Sequence, residues 1–167
     1  AIARFAPVMH AVQAHAASGG AVIGICNGFQ VLCEAHLLPG ALLRNAQQRF
    51  TSRPVDVRIE RCDTVCTSDF TPGELLRIPI AHGEGRYQAS PEILDRLEGE
   101  GRVALVYCDE SGVADPWRAN PNGSARNIAG IYGGTRKNIL GLMPHPERMS
   151  EACLGGTGGL ELFQAVR

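Results

Sequence analysis

Three blocks of hydrophobic and small residues occupy the start of the chain. Residues 5–17 are rich in Ala, Val and Met and end before a Ser-Gly-Gly triplet, which predicts a helix closed by glycine. Residues 21–25 are continuously apolar, as in a strand that is buried on both faces of a parallel sheet. A turn at 26–28 and a helix at 29–36 follow. We therefore expect a strand, a tight turn and a helix, with Cys26 at the corner.

The middle and the end of the chain show other patterns. Residues 55–60 alternate apolar and polar side chains with a period of two, as an antiparallel strand with one solvent-facing side does. Ser90 and Pro91 precede apolar residues at helical spacing, which predicts a capped helix over 90–97. The other predicted elements are strands at 76–80 and 103–108, a hairpin of strands at 128–132 and 139–143, and a closing helix at 160–166. Mixed strands and helices with at least one parallel-type unit predict an α/β fold.

Composition limits the classes of function. A length of 167 residues fits one domain, and 44% hydrophobic and 20% charged residues are ordinary for a globular protein. The net charge is -1 without a basic or acidic block, so we expect neither a nucleic acid partner nor a membrane. The six cysteines lack C-x-x-C spacing, which disfavours disulfide frameworks and metal sites. The expected compartment is the reducing cytoplasm.

Cys26 lies in a short motif that is typical of a nucleophile elbow. Gly24-Ile25-Cys26-Asn27-Gly28 has the form G-x-C-x-G, with cysteine in place of the serine of hydrolases. The following helix N-terminus offers N–H groups and a partial positive charge. We therefore expect Cys26 to be a nucleophile with a lowered thiol pKa, and the Asn27 N–H to be a donor to an oxyanion. A buried structural cysteine beside a glycine turn is the alternative.

His145 and Glu147 supply the base and the acid that such a cysteine requires. Both lie in the segment M-P-H-P-E-R at 143–148, directly after a predicted strand. The histidine can take the thiol proton, and the glutamate can hold the second ring nitrogen and fix the tautomer. The alternative is a surface turn with an incidental H-x-E. His82 is a rival base, but no acid is placed to orient it, and we assign it to a substrate loop or an interface.

Four segments, in order, carry a resemblance to a known family. They are G-I-C-N-G-F-Q at 24–30, P-I-A-H-G-E-G-R-Y at 79–87, N-P-N-G-S at 120–124 and M-P-H-P-E-R at 143–148. Over nearly its whole length the chain resembles the glutaminase subunit of phosphoribosylformylglycinamidine synthase, a class I (triad-type) glutamine amidotransferase. The elbow and the H-x-E are general to class I enzymes, whereas the second and third segments point to this member.

The resemblance implies a fold and a reaction. The fold would be a single flavodoxin-like domain over 1–167, with a mostly parallel central sheet, helices on both faces and an additional antiparallel portion. Cys26, His145 and Glu147 would hydrolyse glutamine to glutamate and ammonia, and Gln30 would help to hold the glutamine. The ammonia would pass to a large synthetase subunit, accompanied by a small third subunit. There, ATP and magnesium would serve the conversion of formylglycinamide ribonucleotide to its amidine in purine biosynthesis, and no cofactor is expected in this chain.

Two alternatives remain beside this reading. Family members begin with a strand and a glycine-rich loop that precede the segment matching the start of this chain, and that loop would supply a second oxyanion donor. Because the sequence lacks it, a non-catalytic docking module for a synthetase is one alternative. Another cysteine hydrolase of the same fold, similar to γ-glutamyl hydrolase, is the other. Such an enzyme has no chemical need for the segments at 79–87 and 120–124.

Overall fold

The computed structural model of the protein describes residues 5–164. The helices described are α1 (Pro7–Ala17), α2 (Asn27–Glu34), α3 (Pro91–Gly99) and α4 (Glu161–Gln164), and the strands are β1 (Val22–Ile25), β2 (Ala41–Leu43), β3 (Thr51–Ile59), β4 (Leu75–His82), β5 (Arg86–Gln88), β6 (Val103–Cys108), β7 (Ile128–Gly133) and β8 (Ile139–Leu142). The predicted closing helix corresponds to α4, and its last two predicted residues lie outside the described residues. Across the described part of the chain, no helix is both long and apolar enough to cross a membrane.

Local sequence signals account for most of these elements. α3 begins as predicted, because Pro91 occupies its first turn and the Ser90 hydroxyl accepts a hydrogen bond from the Ile93 N–H at 3.5 Å. β6 has the predicted bounds, and β7 and β8 form the predicted hairpin. The two-stranded sheet of β2 and β5 has no counterpart in the prediction. Its strands have three residues each, too few to show a periodicity.

Six strands form the main sheet, in the order β1-β8-β7-β6-β3-β4. β1 and β8 pair in parallel, with Ile25 opposite Leu142. The other four pairings described are antiparallel. The antiparallel portion, expected as an addition to a mostly parallel sheet, is thus the larger part of the described sheet. Parallel neighbours need a crossover, usually a helix, and no α-helix is described between β3 and β4 or between β6, β7 and β8.

Apolar side chains cover both faces of the main sheet. On one face, α1, α2 and α3 contribute side chains such as those of Phe29 and Leu97, both of which are buried. On the other face, Phe70 and Leu162 of α4 pack against the strands. The helices therefore lie on both faces, as predicted. β7 and β8 are buried along their whole length, whereas buried and more exposed residues alternate along the second half of β3 and along β4.

The sheet curls so that the ends of distant strands meet. The backbone N–H of His145, just after β8, donates a 2.8 Å hydrogen bond to the carbonyl of Pro79 in β4. In the strand order, β7, β6 and β3 separate these two strands. Twist of this kind is inherent to sheets of L-residues. As a result, Cys26 after β1, His82 at the end of β4 and His145 after β8 lie in one region of the molecule.

Candidate active site

Cys26 occupies the predicted elbow between β1 and α2. Its backbone has φ 51° and ψ -104°, a conformation that L-residues with a side chain rarely adopt. Two backbone hydrogen bonds hold the corner. The Cys26 N–H donates to the carbonyl of Leu142 in β8 at 2.8 Å, and the Gln30 N–H donates to the carbonyl of Cys26 at 3.2 Å. The cysteine is thus fixed by the sheet on one side and by the helix on the other.

The two glycines of the motif differ in what surrounds them. A Cβ atom on Gly24 would lie 2.4 Å from the Leu32 side chain and 2.8 Å from the backbone of Gly28, so a side chain there would push α2 away from β1. A Cβ atom on Gly28 would have no neighbour within 4 Å among the described residues. The close approach of strand and helix therefore explains the first glycine. Nothing in the described structure explains the second.

His145 and Glu147 form the predicted pair. The His145 Nδ1 lies 2.5 Å from the Glu147 Oε1, and the same carboxylate oxygen lies 3.6 Å from the Arg148 Nε. A carboxylate accepts hydrogen bonds, so in this contact Nδ1 carries the proton. The ring is 8% exposed, and its Nε2 is buried without a hydrogen-bond partner among the described residues. The pair therefore presents a basic nitrogen that is free to accept a proton.

One cavity of about 410 Å³ joins the predicted residues. Its walls are formed by Ile25, Cys26, Asn27, Gln30, Phe50, Ala81, His82, Gly83, Glu84, His145 and Arg148. Cys26, His145, Asn27 and Gln30 thus share one site, and Glu147 contacts it through the histidine. A larger cavity of about 790 Å³ lies between the end of α2, α3 and the β7–β8 turn, and it contains none of the predicted site residues.

The expected direction of the Cys26 pKa is wrong. Burial raises the pKa of the thiol, although the backbone N–H of Asn27 and the charge of Arg148 act in the opposite direction, and Glu147 raises it further. The helix N-terminus does contribute as expected, but the loss of water around the sulfur outweighs it. Burial at this position therefore favours the protonated thiol.

His82 shares the cavity and has a different partner from His145. Its Nδ1 lies 3.2 Å from the Oδ1 of Asn45, and its Nε2 is buried without a partner in the described structure. The residue is 3% exposed, and burial lowers its pKa to about 4, with a smaller contribution from His145. The ring is therefore neutral near pH 7. It does not occupy the place of a triad base, because no carboxylate orients it.

The two segments that distinguish the family member contact each other behind the cavity. The Asn122 side chain donates a 2.8 Å hydrogen bond to the carbonyl of Gly85, and the Tyr87 N–H donates to the Ser124 hydroxyl at 3.1 Å. Asn122 is completely buried. The segment at 120–124 therefore supports the loop that carries His82, and it does not line the cavity.

Sequence reasoning missed four residues of the site. Arg148, Phe50 and Glu84 line the cavity, and Asn45 holds His82. Arg148 lies in the segment that was already singled out, so its charge next to Glu147 was a usable signal. Phe50 and Asn45 lie in a stretch without periodicity or a motif. Among the described residues, no group of three or more His, Cys, Asp or Glu side chains could hold a metal ion.

Comparison with known proteins gives consistent matches. Residues 1–155 match the model of the CobB/CobQ-like glutamine amidotransferase domain. The PurQ subunit of phosphoribosylformylglycinamidine synthase from Bradyrhizobium diazoefficiens is 54% identical over 99% of this chain and 70% of its own length. The same subunit of Rubrobacter xylanophilus is 55% identical over the same shares. In the structure of PurLQS from Thermotoga maritima, one chain matches with a TM-score of 0.82 and 38% identity, over 99% of this chain and 69% of that one.

These matches bear on the fold and on the family. The TM-score of 0.82 confirms the predicted class I glutamine amidotransferase fold. Identity above half over nearly the whole chain favours the glutaminase subunit over a γ-glutamyl hydrolase-like enzyme. The chain belongs to the CobB/CobQ-like glutamine amidotransferase family and, within it, to the glutaminase (PurQ) subunits of phosphoribosylformylglycinamidine synthase.

Proposed function

We propose that this chain hydrolyses glutamine to glutamate and ammonia through a Cys26-His145-Glu147 triad. The observation that carries the proposal is one cavity lined by both the elbow cysteine and His145, whose Nδ1 is bound by a carboxylate and whose Nε2 has no partner among the described residues. Family membership supports the reaction class. Together they favour acyl transfer to sulfur over the docking-module alternative.

The chemistry follows from the protonation states of the site. Because burial raises the pKa of the Cys26 thiol, we infer that the His145 Nε2 takes its proton as the sulfur attacks the amide carbon of glutamine. The imidazolium then gives that proton to the amide nitrogen. The C–N bond breaks, ammonia leaves, and a thioester to Cys26 remains. Water, deprotonated by His145, hydrolyses the thioester and releases glutamate.

Two neighbours are assigned supporting roles in this reaction. The backbone N–H of Asn27, which acts on the Cys26 sulfur, lies at the start of α2 and is proposed as a donor to the oxyanion. Glu147 would hold the ring tautomer and stabilise the imidazolium that forms. Both roles depend on the positions of these two groups before substrate binds. The backbone of the elbow fixes the Asn27 N–H, and the 3-10 turn at Pro146–Met149 fixes Glu147.

The cavity also carries the charges that a free amino acid requires. Arg148 and Glu84 both line it, and their side chains are 53% and 54% exposed. We propose that they face the α-carboxylate and the α-ammonium group of glutamine, respectively. Gln30 lines the same cavity, and its amide nitrogen lies 3.4 Å from the Glu34 Oε1. It is proposed to help hold the substrate.

The ammonia is proposed to serve a synthetase partner. The matched structure is a PurLQS assembly, which supports a complex with a large synthetase subunit and a small third subunit. On that partner, ATP and magnesium would drive the conversion of formylglycinamide ribonucleotide to formylglycinamidine ribonucleotide in purine biosynthesis. This chain would then need no cofactor of its own. A cytoplasmic location remains a prediction.

A steady-state glutaminase assay tests the proposal. Glutamate release is measured for the wild type, for Cys26→Ala and for Cys153→Ala, with and without the synthetase partner. Cys153 is an exposed cysteine outside the cavity, so its variant is a matched control. We expect Cys26→Ala to lower kcat by about four orders of magnitude or more, and Cys153→Ala to behave as the wild type.

The measurements with the synthetase partner distinguish a catalytic subunit from a docking module. The wild type is expected to hydrolyse glutamine slowly alone and faster in the complex. Equal glutamate release by the wild type and by Cys26→Ala would remove Cys26 as the nucleophile. No release by the wild type under either condition, together with formation of the complex, would favour the docking module.

A further inference from the structure

His82 is the buried polar group of the cavity that the triad does not use. Its ring lies between the cavity on one side and Asn45 and Gly85 on the other, and neither of these two residues lines the cavity. A Cβ atom on Gly85 would lie 2.3 Å from two ring atoms of His82. The backbone of Gly85 therefore packs directly against the ring, where a larger residue would not fit.

The hydrogen bonds of Asn45 fix the tautomer of this ring. The Asn45 Nδ2 donates to the carbonyls of Arg49 and His82 at 2.8 and 2.9 Å, which identifies it as the amide nitrogen. The Oδ1 accepts a hydrogen bond from the Gly85 N–H at 3.0 Å and faces the His82 Nδ1. An amide oxygen only accepts, so Nδ1 carries the ring proton. The Nε2 is then an acceptor, buried and without a partner among the described residues.

Only two groups of glutamine can donate a hydrogen bond to such an acceptor. They are the side-chain carboxamide NH2 and the α-ammonium group, because the carboxamide oxygen and the α-carboxylate only accept. His82 and His145 both line the cavity. In the proposed reaction His145 delivers a proton to the carboxamide nitrogen, so this nitrogen lies in the cavity that both rings border. The α-ammonium group is proposed above to face Glu84, at the exposed side of the cavity.

We propose that the Nε2 of His82 accepts a hydrogen bond from the carboxamide nitrogen of glutamine and keeps this contact as the nitrogen leaves as ammonia. The assignment rests on the proposed glutaminase reaction and makes His82 a fourth catalytic residue beside the three of the triad. No proton moves to or from His82. When the C–N bond breaks, its electron pair stays on nitrogen, His145 supplies the third proton, and neutral NH3 results.

The neutral state of His82 suits this role. Burial lowers its pKa to about 4, so the ring cannot protonate ammonia near pH 7. Ammonium lacks the lone pair that a nucleophile needs. An acceptor that stays neutral therefore holds the product in the form that a downstream amidation consumes.

Substrates with and without an N–H leaving group test this contact. Glutamine is compared with the γ-methyl ester of glutamate, which keeps both α-groups but loses methanol in place of ammonia. The variants are His82→Leu, which removes the acceptor, and His82→Gln, whose amide oxygen can replace the Nε2. The measured quantity is kcat/KM for glutamine divided by kcat/KM for the ester. Both rates come from one preparation, so a loss of folded protein cancels.

For His82→Leu we expect the ratio to fall by about tenfold, the size of one lost hydrogen bond between neutral groups. For His82→Gln we expect it to recover to within about threefold of the wild type. An unchanged ratio in His82→Leu, with both substrates slowed equally, would overturn the proposal. It would mean that His82 supports the loop or contacts the α-ammonium group. A failure of the proposed triad would give a different result from a failure of the His82 proposal. In that case the Cys26→Ala variant would still turn over both substrates.

Discussion

Two buried histidines face the same cavity with opposite partners. His145 has its Nδ1 against the carboxylate of Glu147, which carries a negative charge and is partly exposed to water. His82 has its Nδ1 against the neutral amide of Asn45 and is itself 3% exposed. In both rings the Nε2 is directed away from these partners and lacks a hydrogen bond within the described structure.

The difference shows how one side-chain type can perform two tasks in one site. A carboxylate stabilises the positive charge of a ring that gains a proton. An amide fixes the tautomer of the neutral ring but has no charge that could compensate a positive one. His145 is thereby suited to move protons, and His82 to accept hydrogen bonds without changing its charge. The two rings are thus distinguished by their partner residues, and neither partner lines the cavity.

The largest expected effect comes from making the two histidines alike. Glu147→Gln replaces the carboxylate by an amide and so gives His145 the kind of partner that His82 has. We expect kcat for glutamine hydrolysis to fall by about two to three orders of magnitude, because an amide cannot compensate the charge of the imidazolium that forms. A steady-state assay of glutamate release measures it.

Glu151→Gln is the matched control for this variant. Glu151 lies four residues further along, and its side chain contacts Cys153 and does not line the cavity. Its variant should retain wild-type kcat. If Glu147→Gln stayed within about threefold of the wild type, the distinction between the two histidines by their partners would be refuted.

The next effect concerns how the free energy of unfolding depends on pH. The pKa of His82 is about 4 in the folded protein and 6.5 for the ordinary residue. Between these values the unfolded chain binds a proton that the folded protein does not, so stability rises with pH in this window and is lost as the pH falls. The full difference is about 3 kcal/mol. Urea unfolding at several pH values between 4 and 7 measures it.

His82→Gln provides the comparison for this titration. Replacing His82 removes its titration, so the pH dependence of the unfolding free energy should be weaker by about 3 kcal/mol across the window. A wild-type curve that coincides with that of His82→Gln would show that the His82 ring is not held in its neutral form.

The smallest effect tests the packing that fixes the His82 ring. Gly85→Ala places a methyl group within 2.3–2.5 Å of ring atoms, so the ring or the loop has to move. We expect a loss of about 1–3 kcal/mol in unfolding free energy. At Gly99 a Cβ would meet nothing within 4 Å, so Gly99→Ala should be neutral or stabilising by up to about 1 kcal/mol. Thermal unfolding of both variants is the measurement, and equal midpoints would contradict the close contact at Gly85.

The sequence predicted the parts of the site that depend on short segments. The elbow at Cys26 follows from an apolar run, a glycine pair and a helix pattern between residues 21 and 36. His145 and Glu147 are two positions apart, so their contact needs only a local turn. β6 and the β7–β8 hairpin were predicted for the same reason. Each of these strands is a continuous apolar run that is long enough to be recognised in the sequence.

The remaining features depend on contacts between distant segments. Asn45 is 37 residues from His82, and no local pattern connects the two. The curl of the sheet, which joins His145 to Pro79, depends on the register of six strands. The pKa of Cys26 was predicted in the wrong direction because the helix N-terminus is visible in the sequence and the burial of the sulfur is not.

The backbone at Cys26 has a consequence for how this sequence can evolve. At φ 51° and ψ -104°, glycine experiences no steric penalty, whereas any side chain costs about 1–3 kcal/mol. Selection for stability alone would therefore favour glycine at this corner. Cysteine and glycine codons differ by a single base, so the more stable protein is one mutation away and has lost its thiol. Under the proposed mechanism, selection for the reaction opposes that substitution, and a copy of this gene released from such selection should lose its cysteine early.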